Sequence, residues 1–444
     1  MFRLNNNIPF SPQRWPFFYG YWIVVCSAIG MMMSVPGQTM GVSAFTNPLL
    51  DALSIDRLTL SSAYAAGTIV SSLMIPVAGQ FIDRVGPRIT AILSSLGLGA
   101  VLFYLSRVDH ISTAAAEHSW LRHGSAAFLL TSFGFFLVRF FGQGTLTLAS
   151  RTMLIKWFVR QRGRMNSRMG VAVAATFGSA PALFAALIHR QGWRGAWVLM
   201  AIVAVFVFPV FAFVFFRDTP EACGLRPDGA PAPTATEEAG ERPSVNLPGA
   251  LKTYTFWVYN IGVSMFSMLM TAYTFHYEDI FASAGFPDKM LASSIFVPAT
   301  IASVIINLVG GSLYDRPAVR KHIRVFLLLL FVGLAVLCTG IICLPWGLTG
   351  RIILIAGYAL ANGLFGILIA ISWPHFFGRH HVGAISGFNM TFLVLFSAVG
   401  PVFFAAGKRL QGTYNGVAVI AIAVIGLLMI LSFFSRRPDH EERG

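Results

Sequence analysis

The chain has 444 residues, 56% of them hydrophobic and only 11% charged, with a mean hydropathy of +0.69. An ordinary soluble domain is about one-quarter charged, so this composition excludes a soluble globular protein and points to an all-α membrane protein. A formal net charge of +14 would suit nucleic acid, but the basic residues sit in short loops between apolar runs, as membrane topology requires, and no nucleic-acid partner is expected.

Sixteen mostly polar residues precede the first apolar run, which is far longer than a signal-peptide core and lacks a cleavage site. Runs of the roughly 20 residues that cross about 30 Å of hydrocarbon then recur to the end of the chain. The pattern predicts twelve spans: 17–42, 60–82, 89–106, 125–149, 166–188, 196–216, 254–278, 290–313, 323–344, 350–374, 382–406 and 414–434. An even number puts both termini on one side. The loops sharing that side hold 22 of the 32 Lys and Arg residues and the opposite loops nine, from Arg57 and Arg122 to Lys408 and Arg409. Both termini are therefore expected in the cytoplasm. The reading divides the chain into a six-helix half 1–216, a linker 217–252 and a second half 253–444. Within the linker, Ala230–Gly240 is rich in Pro, Ala, Thr and Glu and reads as flexible. Cys26, Cys223, Cys338 and Cys343 show neither metal spacing nor a disulfide framework.

A short charged hinge, Gly79-Gln-Phe-Ile-Asp83-Arg84-Val-Gly86-Pro-Arg88, separates the second and third spans. It is echoed at Gly310-Gly311-Ser-Leu-Tyr-Asp315-Arg316, with Arg320 adding charge, after the eighth span. In each copy a glycine stands four residues before Asp-Arg. The halves match again at Trp157–Gly163 and Phe376–Gly383, which follow the fourth and tenth spans. The chain is thus a duplicated set of helices. Each half reads as an inverted pair of three-helix repeats, the arrangement that rocks around a midplane site.

These hinges resemble the loop motif of the major facilitator superfamily, and further phrases agree. Arg139-Phe-Phe-Gly142-Gln143-Gly144 is similar to its fourth-helix signature, and Gly192-Trp-Arg-Gly-Ala-Trp197 to its fifth-to-sixth connection. The linker Asp218–Gly229, with Gly383–Gly387 and Gly400-Pro401, resembles bacterial monocarboxylate-transporter and oxalate–formate antiporter members. The resemblance implies the twelve-helix major facilitator fold, in which the hinge Asp caps a helix end and the hinge arginines pair across the cytoplasmic side. It also implies alternating access with proton coupling or anion exchange. Gly79, Asp83, Arg84, Gly86, Arg88, Gly311, Asp315 and Arg316 are the expected conformational-switch residues. One departure from that subgroup is plain: Leu291–Leu313 carries no charge, nor does the eleventh span before Lys408.

Arg139 stands out, some fourteen residues into its span, where a guanidinium costs several kcal/mol unless it meets a cavity or a partner. No Asp or Glu lies inside any expected hydrocarbon core. Helix spacing gathers Phe135, Phe136, Gly142 and Gln143 on its face, a setting that suits bidentate recognition of a carboxylate. The competing reading is a structural tie through backbone carbonyls. His276, beside Glu278 and Asp279 at the outer end of span seven, is a candidate gate or proton acceptor, against plain interfacial anchoring. In the family the first, fourth, seventh and tenth helices line the cavity. Gln38, Asn260, Asn362 and Trp373 therefore join Arg139 and Gln143 as substrate-binding candidates, each competing with a helix–helix hydrogen-bonding role.

No glycine-rich stretch leads into Lys-Ser or Lys-Thr before a helix, and no ligand cluster is visible, so neither nucleotide, metal nor cofactor is expected. His380-His381 reads as a basic cap. The expectation is a monomeric secondary transporter in a bacterial inner membrane that moves a small organic anion, a carboxylate, with protons or a counter-anion. The alternatives are an exporter of amphipathic compounds, suggested by 40 Phe residues, and a membrane-embedded lipid enzyme. The latter would need a dyad that only Glu278-Asp279 approaches. A transporter-like sensor would need an appended domain for which the polar tails are too short.

Overall fold

In hydrocarbon, every backbone N–H and C=O must find its partner inside the chain, and the apolar runs meet that demand as helices. The computed structural model describes residues 4–118, 123–229 and 244–435, and no strand occurs among them. The Ala230–Gly240 linker stretch, Arg122 and the C-terminal arginines lie outside the described residues.

The long helices are α1 (Gly20–Met33), α2 (Arg57–Val85) and α3 (Pro87–Leu105). Next comes α4, which runs on through His123–Val138, a π-helical stretch Arg139–Leu146 and Thr147–Trp157. The run Arg162–Ile202 breaks at Gly192, whose φ of 71° only glycine adopts readily. It gives α5 (162–191) and α6, which ends with Phe208–Phe215. The second half supplies α7 (Tyr254–Ser283), α8 (Phe296–Tyr314), α9 (Arg324–Ile342), α10 (Leu348–Phe377), α11 (Val382–Gln411) and α12 (Asn415–Phe433).

Among the described residues nine helices are long and apolar enough to cross a membrane. The remaining expected spans fall on α1, α5 and α7. Each departs for a local reason. Pro36 and Gly37 cut α1 short with a 3-10 turn, Val35–Gly37. Helix α5 opens with Arg162, Arg164 and Arg168, and α7 interleaves Tyr, Thr and Ser with its apolar residues. Helix α2 extends past the expected edge at 82 and carries Asp83 and Arg84 within it. Gly86, with φ 101°, is left as the turn into α3.

Two compact units result. One combines the chain up to Val159, the stretch from Val171 into the linker, and His380–Thr391; the other combines Arg160–Gly170, Pro243–Arg379 and the chain from Phe392 onward. This differs from a simple cut at the linker, because each unit takes in the opening turns of a helix from the other half of the sequence.

Within the first unit the N-terminal segment is sewn to the start of the linker. Arg88, fully buried, donates through Nη1 to the Asn5 carbonyl (3.0 Å) and through Nη2 to the carbonyls of Ile8 (2.7 Å) and Phe213. Asp218 accepts from the Arg88 backbone N–H (2.9 Å) and from Asn6 Nδ2 (3.2 Å), and its own N–H donates to Asn6 Oδ1 (2.9 Å). Arg217 donates to the carbonyls of Val214, Phe216 and Phe10, while Trp157 Nε1 donates to the Arg217 carbonyl. Further along, Asp228 accepts from the Val159 N–H at 3.0 Å. The described linker residues are therefore packed structure. Burial raises the Asp218 carboxyl above the ordinary carboxylate range and pushes the Cys223 thiol up to about 12. All four cysteines are buried and free.

Candidate functional site

At the break after α1 the 3-10 turn bonds the Ser34 and Val35 carbonyls (2.9 Å each, from the N–H groups of Gly37 and Gln38), and Arg139 meets the carbonyl of Gly37, at the end of that turn. Its Nη1 donates to the Gly37 carbonyl (3.4 Å) and to Thr39 Oγ1 (3.1 Å). The guanidinium lies 5.3 Å from the centre of the Tyr64 ring, and Tyr64 O–H donates to Thr39 Oγ1 at 3.0 Å. A side chain at Gly37 would strike the Val138 carbonyl and the Gly142 Cα, so glycine at both positions lets the broken helix lie directly on α4. Arg139 is 4% exposed, and its Nε is buried with no acceptor. The residue thus ties α4 to the break of α1 and still holds an unused donor.

Gln38 and Gln143 occupy different surroundings. Gln38 is buried and donates through Nε2 to Ser34 Oγ (3.1 Å) and Thr147 Oγ1 (3.3 Å). It belongs to the joint between the break and α4. Gln143 is half-buried and makes no hydrogen bond to a described residue. Two residues that sequence reasoning did not single out belong beside them. Arg151 lies inside α4, whereas the sequence reading put it in the following loop; the signal against a loop was the apolar Met153-Leu154-Ile155 that follows. Thr147 bonds to Ser34 Oγ at 3.1 Å; nothing in its sequence marks that role.

The candidates in the second unit are spread out. Asn260 is fully buried near the start of α7. Asn362 is half-buried in the middle of α10, within a turn of Phe365, whose ring stacks on Phe266 at 4.0 Å. Trp373 is buried near the end of α10 against Phe256, with ring centres 5.3 Å apart. It lies about 16 Å along the axis from Asn362, so the structure does not bring these two together.

It does bring His276 and Asp279 together. His276 Nε2 donates to the Pro401 carbonyl (3.0 Å), and Nδ1 faces Tyr414 Oη at 3.3 Å. Tyr414 O–H donates to Asp279 Oδ2 at 2.5 Å, and Lys408 is salt-bridged to the same oxygen. The Lys408 and Tyr414 hydrogen bonds hold the Asp279 carboxyl below the usual carboxylate range. Glu278 accepts from Tyr277 O–H at 3.1 Å.

The two hinges prove to be equivalent docks. Asp83 accepts from the N–H groups of Gly383 (3.1 Å) and Ala384 (2.8 Å) at the first turn of α11, and Lys156 Nζ lies 3.6 Å from the same carboxylate. Asp315 accepts from the N–H groups of Gly163 and Arg164 (2.9 Å each) at the first turn of α5. A helix start presents free N–H groups and a partial positive charge, so a carboxylate there is stabilising. The glycines four residues earlier permit the approach: a methyl at Gly79 would enter the Gly383 carbonyl, and one at Gly311 the Gly163 carbonyl. Burial raises the Asp315 carboxyl, while the Arg164 and Gly163 N–H groups pull it back. Arg320 donates to the carbonyls of Arg160 and Asp315. Arg84 and Arg316 are exposed, and Arg88 serves the N-terminal segment instead.

Membrane-crossing helices, a duplicated Gly/Asp dock and a mid-helix cation clasping a broken helix define a transporter fold built from two related halves. The family model of the Major Facilitator Superfamily matches residues 20–401, and the chain belongs to that superfamily. Among solved structures it is similar to one described as a bacterial homologue of the iron transporter ferroportin in an outward-facing state. That protein is 15% identical, with a TM-score of 0.63 over 93% of this chain and 98% of the other. At that identity the likeness is one of fold. No curated protein matches the sequence.

Proposed function

We propose that this secondary transporter moves a small organic anion, a carboxylate, across a bacterial inner membrane by alternating access. Both termini would be cytoplasmic, the chain would work as a monomer, and coupling would be to protons or to a counter-anion. The observation that carries the reading is Arg139, a guanidinium in the middle of an apolar span with a buried, unused Nε. Its described acceptors are a carbonyl and a hydroxyl, so its positive charge stays uncompensated, and an anionic ligand would supply the missing charge. His276, with Tyr414, Asp279 and Lys408, supports a proton-responsive element on the second unit.

Uptake by proteoliposomes of a panel of labelled carboxylates, with and without an imposed pH gradient, tests this. Saturable uptake that Arg139→Ala nearly abolishes is the expected result. Uptake of amphipathic cations or neutral drugs with no carboxylate transport would overturn it in favour of an exporter.

A further inference from the structure

Arg151 is a cation to which the transport reading gives no task. It lies in the Thr147–Trp157 part of α4, on the membrane-crossing helix Gly124–Trp157. Met153, Leu154 and Ile155 beyond it are buried, so both the helix and its apolar surroundings continue past it. The side chain is half-buried, its Nε is sealed off with no acceptor, and no described residue gives it a hydrogen bond or ion pair. Other buried arginines are engaged: Arg88 and Arg217 each donate to three carbonyls. An arginine on a membrane helix with no acceptor among the described residues is a candidate functional position.

The π-helical stretch decides which way Arg151 faces. In a regular α-helix, twelve residues advance about 120° beyond three full turns, which would turn Arg151 well away from Arg139. Residues 139–146 are wound more widely, at roughly 4.4 residues per turn, which takes back about 145°. Arg139 and Arg151 then lie within roughly 30° of each other, about 15 Å apart along the axis. Gln143 and Arg151 differ by only about 10°. Gln143 is the other half-buried side chain on this line with no partner among the described residues. One face of α4 therefore carries a clasped arginine, an unpartnered amide and an unpartnered arginine.

We infer that Arg151 is a second anion-binding station. There a carboxylate rests between the level of Arg139 and the membrane face that carries the 158–161 turn. The inference rests on the organic-anion reading above and adds a residue and a direction of travel to it. The planar guanidinium offers two parallel N–H donors to a carboxylate. The Gln143 amide offers a donor on the way.

The test is sided transport of radiolabelled lactate, oxalate and succinate by the full-length chain, in right-side-out and inverted vesicles. Arg151→Gln is expected to raise KM about tenfold for substrate presented from the face carrying the 158–161 turn, and less than about twofold from the other. Arg151→Lys should recover part of the loss. A merely structural role would lower kcat or the yield of folded protein equally from both faces, and that outcome overturns the station. Because a variant can fail to insert, the wild type is also treated with phenylglyoxal and mapped by mass spectrometry. Arg151 is expected to be modified, and to be protected by a transported carboxylate. An Arg151 that stays unmodified, or is modified equally with and without carboxylate, also overturns it. If the wild type carries none of the three anions, the transport reading fails and the station with it. If it carries them and Arg151→Gln does so with unchanged KM from both faces, the station alone fails.

Discussion

The Asp83 carboxylate accepts the backbone N–H of Ala384 at 2.8 Å across 301 residues of sequence. The bond involves a helix start and no substrate candidate, so its loss should act on conformational equilibrium rather than on affinity. Asp83→Asn, which removes the charge that complements the helix end, is expected to slow turnover several-fold while leaving substrate affinity nearly intact. Asp315→Asn should do the same at the equivalent dock. Binding and transport measured side by side check this, and affinity that falls in step with turnover would assign the hinge to the substrate site.

Arg139 has two duties in this structure, and its variants should show both. Losing its bonds to the Gly37 carbonyl and Thr39 leaves a helix break unsatisfied, at a cost of about 1–3 kcal/mol. Arg139→Ala is therefore expected to unfold at lower temperature in detergent and to lose nearly all carboxylate binding. Arg139→Lys should keep most of the stability and a minority of the binding, because the ammonium keeps the charge without the fork. Lowered stability with normal substrate binding in membranes would leave the residue as a tie alone.

His276 lies in a chain of hydrogen bonds whose proton count is informative. The Pro401 carbonyl can only accept, so Nε2 carries a proton; Tyr414 gives its own proton to Asp279. A bond between Nδ1 and the Tyr414 oxygen then needs a second proton on the ring. His276→Gln should remove the proton dependence of uptake, and Tyr414→Phe should weaken it. Wild-type pH profiles in both well-expressed variants would reduce the cluster to an anchor.

Asp218 should make stability depend on pH in the direction opposite to that of a salt-bridged acid. Its folded pKa is raised by burial. Its contribution is thus complete below the unfolded value of about 4 and is lost as pH rises through the folded value. Asp218→Asn does not titrate. The variant should be less stable overall, because Asn6 Nδ2 would then face a second donor, but it should gain on the wild type as pH rises. Thermal unfolding in detergent at several pH values checks the sign, and a wild type that is stabilised relative to Asp218→Asn as pH rises would contradict it.

Charges embedded in apolar sequence were the most legible features of this chain. Asp83, Asp315 and Arg139 each break a hydrophobic run, and each proved to bind backbone groups at the start or the break of another helix. What stayed hidden depends on geometry that composition does not encode. A π-helical stretch leaves no mark in residue type, so the alignment of Gln143 with Arg151 could not be read from an i, i+4 pattern. An arginine near the end of an apolar run reads as a membrane boundary, so the expected span 125–149 stops two residues short of Arg151. The knot of Arg88 and Asp218 joins positions 130 residues apart, and the hinge motif alone suggested a different role for Arg88. Trp373 was grouped with cavity residues by its helix, although its position near the end of that helix buries it against Phe256.

The clasp on the broken first helix also bears on how the protein is made. Helix α1 has only 14 residues before the interruption, less than the roughly 20 needed to cross hydrocarbon. The guanidinium that satisfies its open end lies 102 residues downstream. At about 5–20 residues per second of synthesis, the nascent first helix waits some 5 to 20 seconds for its partner. During that interval the Gly37 carbonyl can accept only from water, lipid headgroups or the insertion machinery in place of the guanidinium. Insertion of the first helix is therefore provisional until the fourth has been translated.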